Sequence, residues 1–272
     1  TMAVEASRRA LELAELEPGE LDLIILSTLT PDMIIPPCAN LVEDALGAKR
    51  AACFDVFAGC SGFIYSLVTA YQFISSGAYR NILVVGSDVM SRQVNWEDRS
   101  TCVLFGDGAG AVVVQGSDVP TGPFGFTLGS DGSGADLLYV PGIYGSPQQN
   151  PDGHHYIIMN GREIFRFAVT SMAEATRRVV NDLGLEMSDI ELFIAHQANE
   201  RIIQAVARSL GIPRERVFTN IERHGNTSAA SVPMALCDAI EQGRVKEKDH
   251  IALAAFGSGL SWGAMVFQWN KG

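Results

Sequence analysis

Apolar residues follow two spacings along the chain, and together these spacings predict alternating helices and strands. Residues 4–16 carry apolar side chains at helical spacing, whereas residues 21–26 form a continuous apolar run that is typical of a buried parallel strand. Further helices are predicted at residues 40–46, 61–76, 162–182, 199–210 and 228–242. Further strands are predicted at residues 52–57, 82–87, 111–115, 190–194, 250–256 and 264–269. The pattern predicts an α/β protein with sheets covered on both faces.

The chain contains an internal repeat. Residues 4–27 align without a gap to residues 173–196, and four later landmarks follow in the same order in both halves. In one of them Gly59-Cys60-Ser61 matches Gly225-Asn226-Thr227. Two halves related by a pseudo-twofold axis predict a five-layer αβαβα sandwich. We place the first half at residues 1–120 and the second at residues 121–272.

The two halves differ at their starts. An apolar segment at residues 156–159 precedes the first helix of the second half, and nothing corresponds to it before residue 4. Because losing a core strand would leave a sheet edge unpaired, we expect a native segment with at least one core strand to precede this chain. A naturally shorter variant is the alternative.

Composition and charge exclude several classes of protein. The 272 residues carry a net charge of −11, which argues against a general nucleic-acid role. No run of 18 apolar residues is present, so we expect no membrane span. The five cysteines include no Cys-x-x-Cys pair, which argues against a disulfide framework and a zinc site. We expect a protein of the reducing cytoplasm, without a metal.

Cys60 is the first candidate for chemistry. A strand is predicted to end near Val56 and a helix to begin near Ser61, so Cys60 is placed at a helix N-terminus. There the backbone N–H dipoles favour a thiolate, which is the reactive form of cysteine. A buried structural cysteine is the alternative, and this position alone does not decide between them. Four other cysteines are assigned to packing: Cys38, Cys53, Cys102 and Cys237.

Two further polar residues are predicted to lie near Cys60. His196 ends a predicted buried strand, where open α/β sheets place their sites. Asn226 is the repeat mate of Cys60, so both side chains should meet near the pseudo-twofold axis. Either residue alone is more often structural. Together the three supply a nucleophile, an imidazole and an amide donor.

Two glycine-rich segments lie near strand ends. Residues 255–263 form a predicted turn whose backbone N–H groups can point at a bound oxygen, as in an oxyanion hole, although a simple hairpin turn is the alternative. Residues 105–110 contain Gly-x-Gly-x-Gly without the spacing of a dinucleotide-binding loop. We interpret this second segment as a tight turn between strands.

Several motifs resemble those of the condensing enzymes of the thiolase superfamily, and most closely those of the β-ketoacyl-acyl-carrier-protein synthase III family. Five of them occur in the family's order: Asp-Val-x-x-x-Cys-Ser-Gly-Phe, Phe-Gly-Asp-Gly-Ala-Gly-Ala, His-Gln-Ala-Asn-x-Arg-Ile, His-Gly-Asn-Thr-Ser-Ala-Ala-Ser-Val-Pro and Phe-Gly-x-Gly-x-x-Trp-Gly. The resemblance covers essentially the whole chain. The family's N-terminal stretch, which contains its first strand and the residues that bind the adenine end of coenzyme A, has no counterpart in the sequence.

The resemblance implies a decarboxylative Claisen condensation that initiates fatty acid synthesis. Cys60 accepts a short acyl group, such as acetyl, from acyl-CoA. His196 and Asn226 then hydrogen-bond the thioester carbonyl of malonyl carried by acyl carrier protein, and the resulting carbanion attacks the acyl-cysteine. The backbone N–H groups of Cys60 and Ser258 form the oxyanion hole, where the family usually has glycine at the second position. No cofactor is implied, because acyl-CoA and malonyl-carrier are substrates.

The resemblance also implies binding residues. The pantetheine tunnel is lined by Arg99, Gly161, Phe165, Asn199 and Arg201. The acyl pocket is formed by Met90 and Phe105, with Ile35 inserted from the partner of a homodimer. The acidic carrier protein is expected to dock on a basic patch, although an ordinary solvated face is the alternative. This carrier patch consists of Arg162, Arg166, Arg201 and Arg208.

Alternatives within the superfamily differ in their catalytic residues. A degradative thiolase needs a second catalytic cysteine in the C-terminal glycine turn, and residues 255–263 contain none. The elongating synthases use a second histidine where this chain has Asn226. Condensing enzymes of polyketide or other secondary metabolism share the Cys-His-Asn set and stay open as an alternative. A catalytically inactive partner subunit is an alternative of a different class.

Overall fold

The computed structural model describes residues 1–142 and 153–270. Its α-helices are α1 (Met2–Leu13), α2 (Cys38–Leu46), α3 (Gly62–Ser75), α4 (Gly161–Asp182), α5 (Glu200–Leu210), α6 (Ile221–His224) and α7 (Ser231–Glu241). Its strands are β1 (Leu23–Ser27), β2 (Ala52–Val56), β3 (Asn81–Val89), β4 (Asp107–Gln115), β5 (Phe124–Ser130), β6 (Leu138–Tyr139), β7 (Ile158–Met159), β8 (Leu192–Ala195), β9 (His250–Gly257) and β10 (Ser261–Gln268). Every helix and strand predicted from the apolar spacing is present.

Two four-stranded sheets carry the internal repeat. The first has the order β2-β1-β3-β4 and the second the order β5-β10-β9-β8. In each sheet two parallel strands are followed by an antiparallel one: β1, β3 and β4 in the first sheet, and β8, β9 and β10 in the second. The register of the parallel strands is the same in both sheets. Leu23 pairs with Ile82 in the first sheet, and their repeat mates Leu192 and Ile251 pair in the second. The repeat is therefore structural.

Helices cover both faces of both sheets. Helices α1 and α2 pack on the outer face of the first sheet, α3 and α7 lie between the sheets, and α4 and α5 cover the second sheet. Alternate residues of one strand enter different cores: Ile24 contributes to the outer core and Ile25 to the central one. Both side chains are fully buried. The predicted αβαβα order of layers is confirmed, and the boundary at residue 120 stays a prediction.

The apolar segment before the first helix of the second half does not supply a strand of the second large sheet. Residues 156–159 contribute only the two-residue strand β7, which pairs with β6 outside the large sheets. The strand beside β10 is instead β5. Apolar side chains alternate along β5 at Phe124, Phe126 and Leu128, and its Gly125 and Gly129 lie where Leu183 and Trp262 pack closely. In the first sheet, β4 is the outermost strand on the corresponding side.

The prediction of a tight turn at residues 105–110 is also wrong. From Asp107 onward this segment belongs to β4. A Cβ atom on Gly108 would lie 2.4 Å from the sulfur of Met234, and one on Gly110 would lie 2.7 Å from the backbone nitrogen of Met234. The glycines therefore let α7 approach the first sheet. Throughout the described part of the chain, no helix has the length and apolar character needed to cross a membrane.

Candidate active site

Cys60 lies in a single 3₁₀ turn, Gly59–Ser61, that leads directly into α3. Gly59 precedes it with a φ of 58°, in the left-handed region, and a Cβ there would lie 2.7 Å from the hydroxyl oxygen of Ser258. Glycine is therefore required for both its conformation and its close contact. The predicted position of Cys60 at a helix start is confirmed, and the side chain is 7% exposed.

The expected lowering of the Cys60 pKa is not found. Burial raises the pKa of the Cys60 thiol to about 12, the hydrogen bond from Ser228 opposes this rise, and the negative charge of Asp88 adds to it. Removal from water penalises the thiolate more than the helix start favours it. At neutral pH Cys60 is therefore a thiol, and its proton must leave before or during attack.

His196 follows the last residue of β8 and is buried. Its backbone N–H donates to the carbonyl oxygen of Ala254 at 2.7 Å, which holds it against the middle of β9. Burial lowers the pKa of His196 to about 3, so the imidazole is neutral. Its Nδ1 lies 2.6 Å from the hydroxyl oxygen of Ser231, which also accepts the backbone N–H of Gln197 at 3.3 Å. When Ser231 donates to Nδ1, Nε2 carries the imidazole proton.

Asn226 is connected to Cys60 through Ser228. The backbone N–H of Ser228 donates to Asn226 Oδ1 at 2.9 Å, and the hydroxyl oxygen of Ser228 lies at hydrogen-bonding distance, 3.4 Å, from Cys60 Sγ. Because Oδ1 is engaged within the loop, the NH₂ group is the end of the amide that a substrate can use. The backbone of Asn226 pairs with Leu104 and Gly106 on either side of Phe105, which ties this loop to the first half.

The two predicted oxyanion donors belong to segments in contact. A Cβ on Gly257 would lie 2.6 Å from the backbone nitrogen of Cys60. The end of β9, which leads into the turn with Ser258, is therefore in close contact with the backbone of Cys60. The Ser261 hydroxyl oxygen lies 3.2 Å from the carbonyl oxygen of Ala58 and 2.9 Å from that of Ser258, and it can donate to either one. Ser258 is not among the residues with left-handed φ, so a side chain is compatible with its backbone.

Known proteins are similar to this chain in both sequence and fold. The family model "3-Oxoacyl-[acyl-carrier-protein (ACP)] synthase III" matches residues 54–132, and its C-terminal counterpart matches residues 180–269. A curated β-ketoacyl-[acyl-carrier-protein] synthase III of Roseiflexus sp. is 48% identical over 99% of this chain and 83% of its own length. The chain belongs to the 3-oxoacyl-[acyl-carrier-protein] synthase III family.

Solved structures agree with this family. The synthase III of Aquifex aeolicus VF5 superposes with a TM-score of 0.93 at 48% identity, covering 99% of this chain and 85% of that one. The priming β-ketosynthase of the R1128 polyketide pathway has a TM-score of 0.91 at 38% identity, covering 98% of this chain and 80% of that one. The 48% identity to the Roseiflexus and Aquifex synthases III, against 38% to the polyketide enzyme, favours the fatty-acid assignment. Since the curated relatives are named as synthases, the inactive-subunit alternative is not favoured either.

The residues expected to line the pantetheine tunnel lie on several elements. Arg99 is exposed on the loop between β3 and β4, and Gly161 begins α4. Phe165 is an unusually exposed aromatic residue on α4, at 38%. Asn199 caps α5, because its Oδ1 accepts the backbone N–H of Arg201 at 2.8 Å. The structure thus gives Asn199 a structural hydrogen bond that the motif did not reveal.

The residues expected at the acyl pocket are not all brought together within one chain. Met90 is fully buried after β3, and Phe105 is bridged to Asn226. Ile35 is 80% exposed and lies on the loop before α2. The expected insertion of Ile35 into the acyl pocket of a partner stays a prediction. Within the described residues, no group of three His, Cys, Asp or Glu side chains is arranged to hold a metal ion.

Three polar residues of this site escaped the motif analysis as functional candidates. They are Asp88, Ser228 and Ser231. Asp88 is a fully buried acidic residue at the end of an apolar strand, which is a recognisable signal because charged side chains are rarely buried without a partner. The two serines lie within the quoted Asn226 motif, but only the folded chain shows that they contact Cys60 and His196.

Proposed function

We propose that this chain joins a short acyl group from acyl-CoA to malonyl-acyl carrier protein and thereby initiates fatty acid synthesis. The observation that carries the proposal is that, in a member of this family, one buried segment reaches all three candidates: Ser228 hydrogen-bonds Cys60 and Asn226, and Ser231 hydrogen-bonds His196. We place the reaction in the cytoplasm and propose no cofactor. Incubation with acetyl-CoA and malonyl-carrier tests it, with a 3-oxoacyl-carrier as the expected product.

The first half-reaction transfers the acyl group to Cys60. The cysteine sulfur forms a bond to the thioester carbon, the bond from that carbon to the coenzyme A sulfur breaks, and coenzyme A is released as its thiol. The backbone N–H groups of Cys60 and Ser258 donate to the oxyanion of the tetrahedral intermediate. One such donor is typically worth about 3 kcal/mol of transition-state stabilisation.

The second half-reaction begins with loss of CO₂ from the malonyl group. The Nε2–H group of His196 and the NH₂ group of Asn226 donate to the malonyl thioester oxygen, where negative charge develops as the bond to CO₂ breaks. The carbanion attacks the acyl-cysteine carbon and the Cys60 thiolate leaves, which gives the 3-oxoacyl product. A neutral imidazole suits this role, because it donates a hydrogen bond without needing to be protonated by solvent.

Substrate contacts are assigned to the residues around this cluster. The pantetheine arm lies along Arg99, Gly161, Phe165, Asn199 and Arg201, and the acyl group enters a pocket of Met90 and Phe105. The exposed aromatic face of Phe165 and the exposed position of Arg99 support contacts with a ligand from outside.

The acidic carrier protein docks on the carrier patch. Its four arginines are exposed, Arg162 and Arg166 on α4 and Arg201 and Arg208 on α5, and these two helices pack against each other. Arg166→Glu and Arg201→Glu should raise the KM for malonyl-carrier roughly tenfold, because like charges repel at the docking surface, and should change the KM for acyl-CoA far less. Steady-state kinetics with each substrate varied in turn measures both values.

A matched charge reversal controls for the net charge of the enzyme. Arg178→Glu lies on the same helix, where Arg178 is 72% exposed and pairs with Asp182. It should leave both KM values unchanged. Equal increases for the two substrates in the carrier-patch variants would contradict the docking assignment.

The chain acts as a homodimer in which Ile35 reaches the partner's acyl pocket. The exposed apolar loop around Ile35, with Ile34 61% and Ile35 80% exposed, supports this proposal, because such a patch is expected to be covered in an assembly. Ile35→Asp should convert the dimer to a monomer in light scattering, whereas Leu13→Asp, at a residue 72% exposed on α1, should not. A monomeric wild-type chain, or a dimer that tolerates Ile35→Asp unchanged, would contradict this role of the loop.

A further inference from the structure

The buried carboxylate of Asp88 lies near Cys60 and has no role in the reaction described so far. Asp88 is fully buried near the end of β3. Its Oδ1 accepts the backbone N–H of Leu29 at 2.6 Å and the hydroxyls of Thr28 and Thr30 at 3.1 and 3.2 Å, and its Oδ2 accepts the backbone N–H of Ala229 at 3.1 Å. Burying a carboxylate costs free energy even when it is hydrogen-bonded. A buried carboxylate near the nucleophile is therefore expected to have a function.

The hydroxyl of Ser228 stands between this carboxylate and the nucleophile. It hydrogen-bonds the Asp88 side chain and also lies 3.4 Å from Cys60 Sγ. A serine hydroxyl has one proton, so it cannot donate to both neighbours at once. Ser228 therefore donates to the Asp88 carboxylate while Cys60 is a thiol, and to Cys60 when Cys60 is a thiolate.

The backbone of Ser228 is held in an unfavourable conformation. Its φ is 53°, in the left-handed region that L-residues rarely adopt. Hydrogen bonds on both sides hold it there: its own N–H donates to Asn226 Oδ1, and the next N–H, of Ala229, donates to Asp88. Strain of this kind persists where the surrounding structure imposes it, and it is concentrated at functional sites.

We propose that Ser228 and Asp88 form a proton path that activates Cys60, which rests on the proposed function. As Cys60 attacks the acyl-CoA, its S–H proton passes to the Ser228 oxygen and the Ser228 proton passes to Asp88. The sulfur electron pair forms the bond to the acyl carbon, and the coenzyme A thiolate leaves and takes a proton from water. When condensation expels the Cys60 thiolate, Asp88 returns its proton through Ser228. Asp88 is thus neutral for the lifetime of the acyl-enzyme.

Electrostatics favours transfer over simple ionisation. Burial and the charge of Asp88 both raise the pKa of Cys60, because a thiolate would add a second negative charge to the same buried site. Moving the thiol proton to Asp88 relocates one charge and creates none. Burial likewise raises the pKa of Asp88, which improves it as an acceptor. His196, at the end of β8, is neutral and adds no charge.

The rate of Cys60 acylation as a function of pH tests the path. In the wild type the rate of coenzyme A release from acetyl-CoA should be flat across neutral pH, because the proton acceptor is internal. In Asp88→Asn and Ser228→Gly it should fall about 100-fold at neutral pH, as expected for loss of a general base, and then rise about tenfold per pH unit as hydroxide replaces the base. Glycine suits the left-handed φ at position 228, so Ser228→Gly removes the hydroxyl without adding strain.

A matched control removes a buried serine hydroxyl elsewhere. Ser66, on α3, is buried and its hydroxyl has no hydrogen-bond partner among the described residues, so Ser66→Ala should keep the wild-type pH profile. Variants at Asp88 and Ser228 that keep a flat profile, or lose the same factor at every pH, would overturn the path. A wild-type chain that releases no coenzyme A would instead contradict the proposed function itself.

The wild-type protein offers a second test that depends on no variant. Acetylation of Cys60 should add the carbonyl band of a protonated carboxyl group to the infrared difference spectrum. That band should be absent from the corresponding spectrum of the Asp88→Asn variant. Its absence from the wild type would overturn the path even if the variants fail to fold.

Discussion

Replacing Cys60 by alanine is expected to abolish condensation. Without the sulfur no acyl-enzyme forms, and the carbanion generated from malonyl-carrier meets no electrophile held beside it. The loss of 3-oxoacyl-carrier formation should be on the order of 10⁴-fold or more, as for removal of other catalytic nucleophiles. The measurement is the rate of product formation from acetyl-CoA and malonyl-carrier, with wild type and variant at equal concentration.

Two comparisons make this prediction specific. Cys102→Ala removes a half-buried thiol on the loop between β3 and β4 and should retain wild-type activity. Loss of CO₂ from malonyl-carrier should continue in the Cys60 variant, because His196 and Asn226 are still in place. If the Cys60 variant still forms an acyl-enzyme, the nucleophile is a different residue.

His196→Ala and Asn226→Ala are expected to divide the two half-reactions. Each variant removes one donor to the malonyl thioester oxygen, so decarboxylation should slow by about 10²–10³-fold, as for loss of one oxyanion donor. Acylation of Cys60 by acetyl-CoA should change far less, because its oxyanion donors are backbone groups of other residues. Release of CO₂ and release of coenzyme A, measured separately, report the two steps.

The pH dependence of decarboxylation adds an independent check. Burial lowers the pKa of His196 from 6.5 to about 3, so the imidazole stays neutral as the pH falls through 6.5. Decarboxylation should therefore show no loss on acidification through that value. His250→Ala, at the partly exposed start of β9, should leave both steps unchanged. Equal losses in both half-reactions for the His196 and Asn226 variants would contradict the division of roles.

The layered fold could be predicted because its signals are local. Strands such as β1 and β9 are buried on both faces and therefore form continuous apolar runs. The repeat extends this signal, since it relates the position of Cys60 to that of Asn226 without any structural information. In the structure Ser228 links these two residues through its backbone N–H and its hydroxyl.

The features that escaped prediction depend on tertiary packing. Strand β5 has apolar residues at alternate positions, but only its pairing with β10 and the packing of Leu183 and Trp262 against its glycines place it in the second sheet. The partnership of Asp88 with Ser228 joins β3 to a loop far along the chain. The raised pKa of Cys60 likewise depends on the folded chain, because its main cause is burial of the thiol. The position at a helix start, which the sequence shows, would instead lower this pKa.

The central claim is that Cys60 carries the acyl group between two substrates. Intact-protein mass spectrometry after mixing with acetyl-CoA, followed by addition of malonyl-carrier, tests it most directly. We predict a gain of one acetyl group, located on Cys60 by peptide mapping, and its loss as 3-oxoacyl-carrier appears. A wild-type chain that gains no acetyl group, or that keeps it when malonyl-carrier is added, would contradict the account.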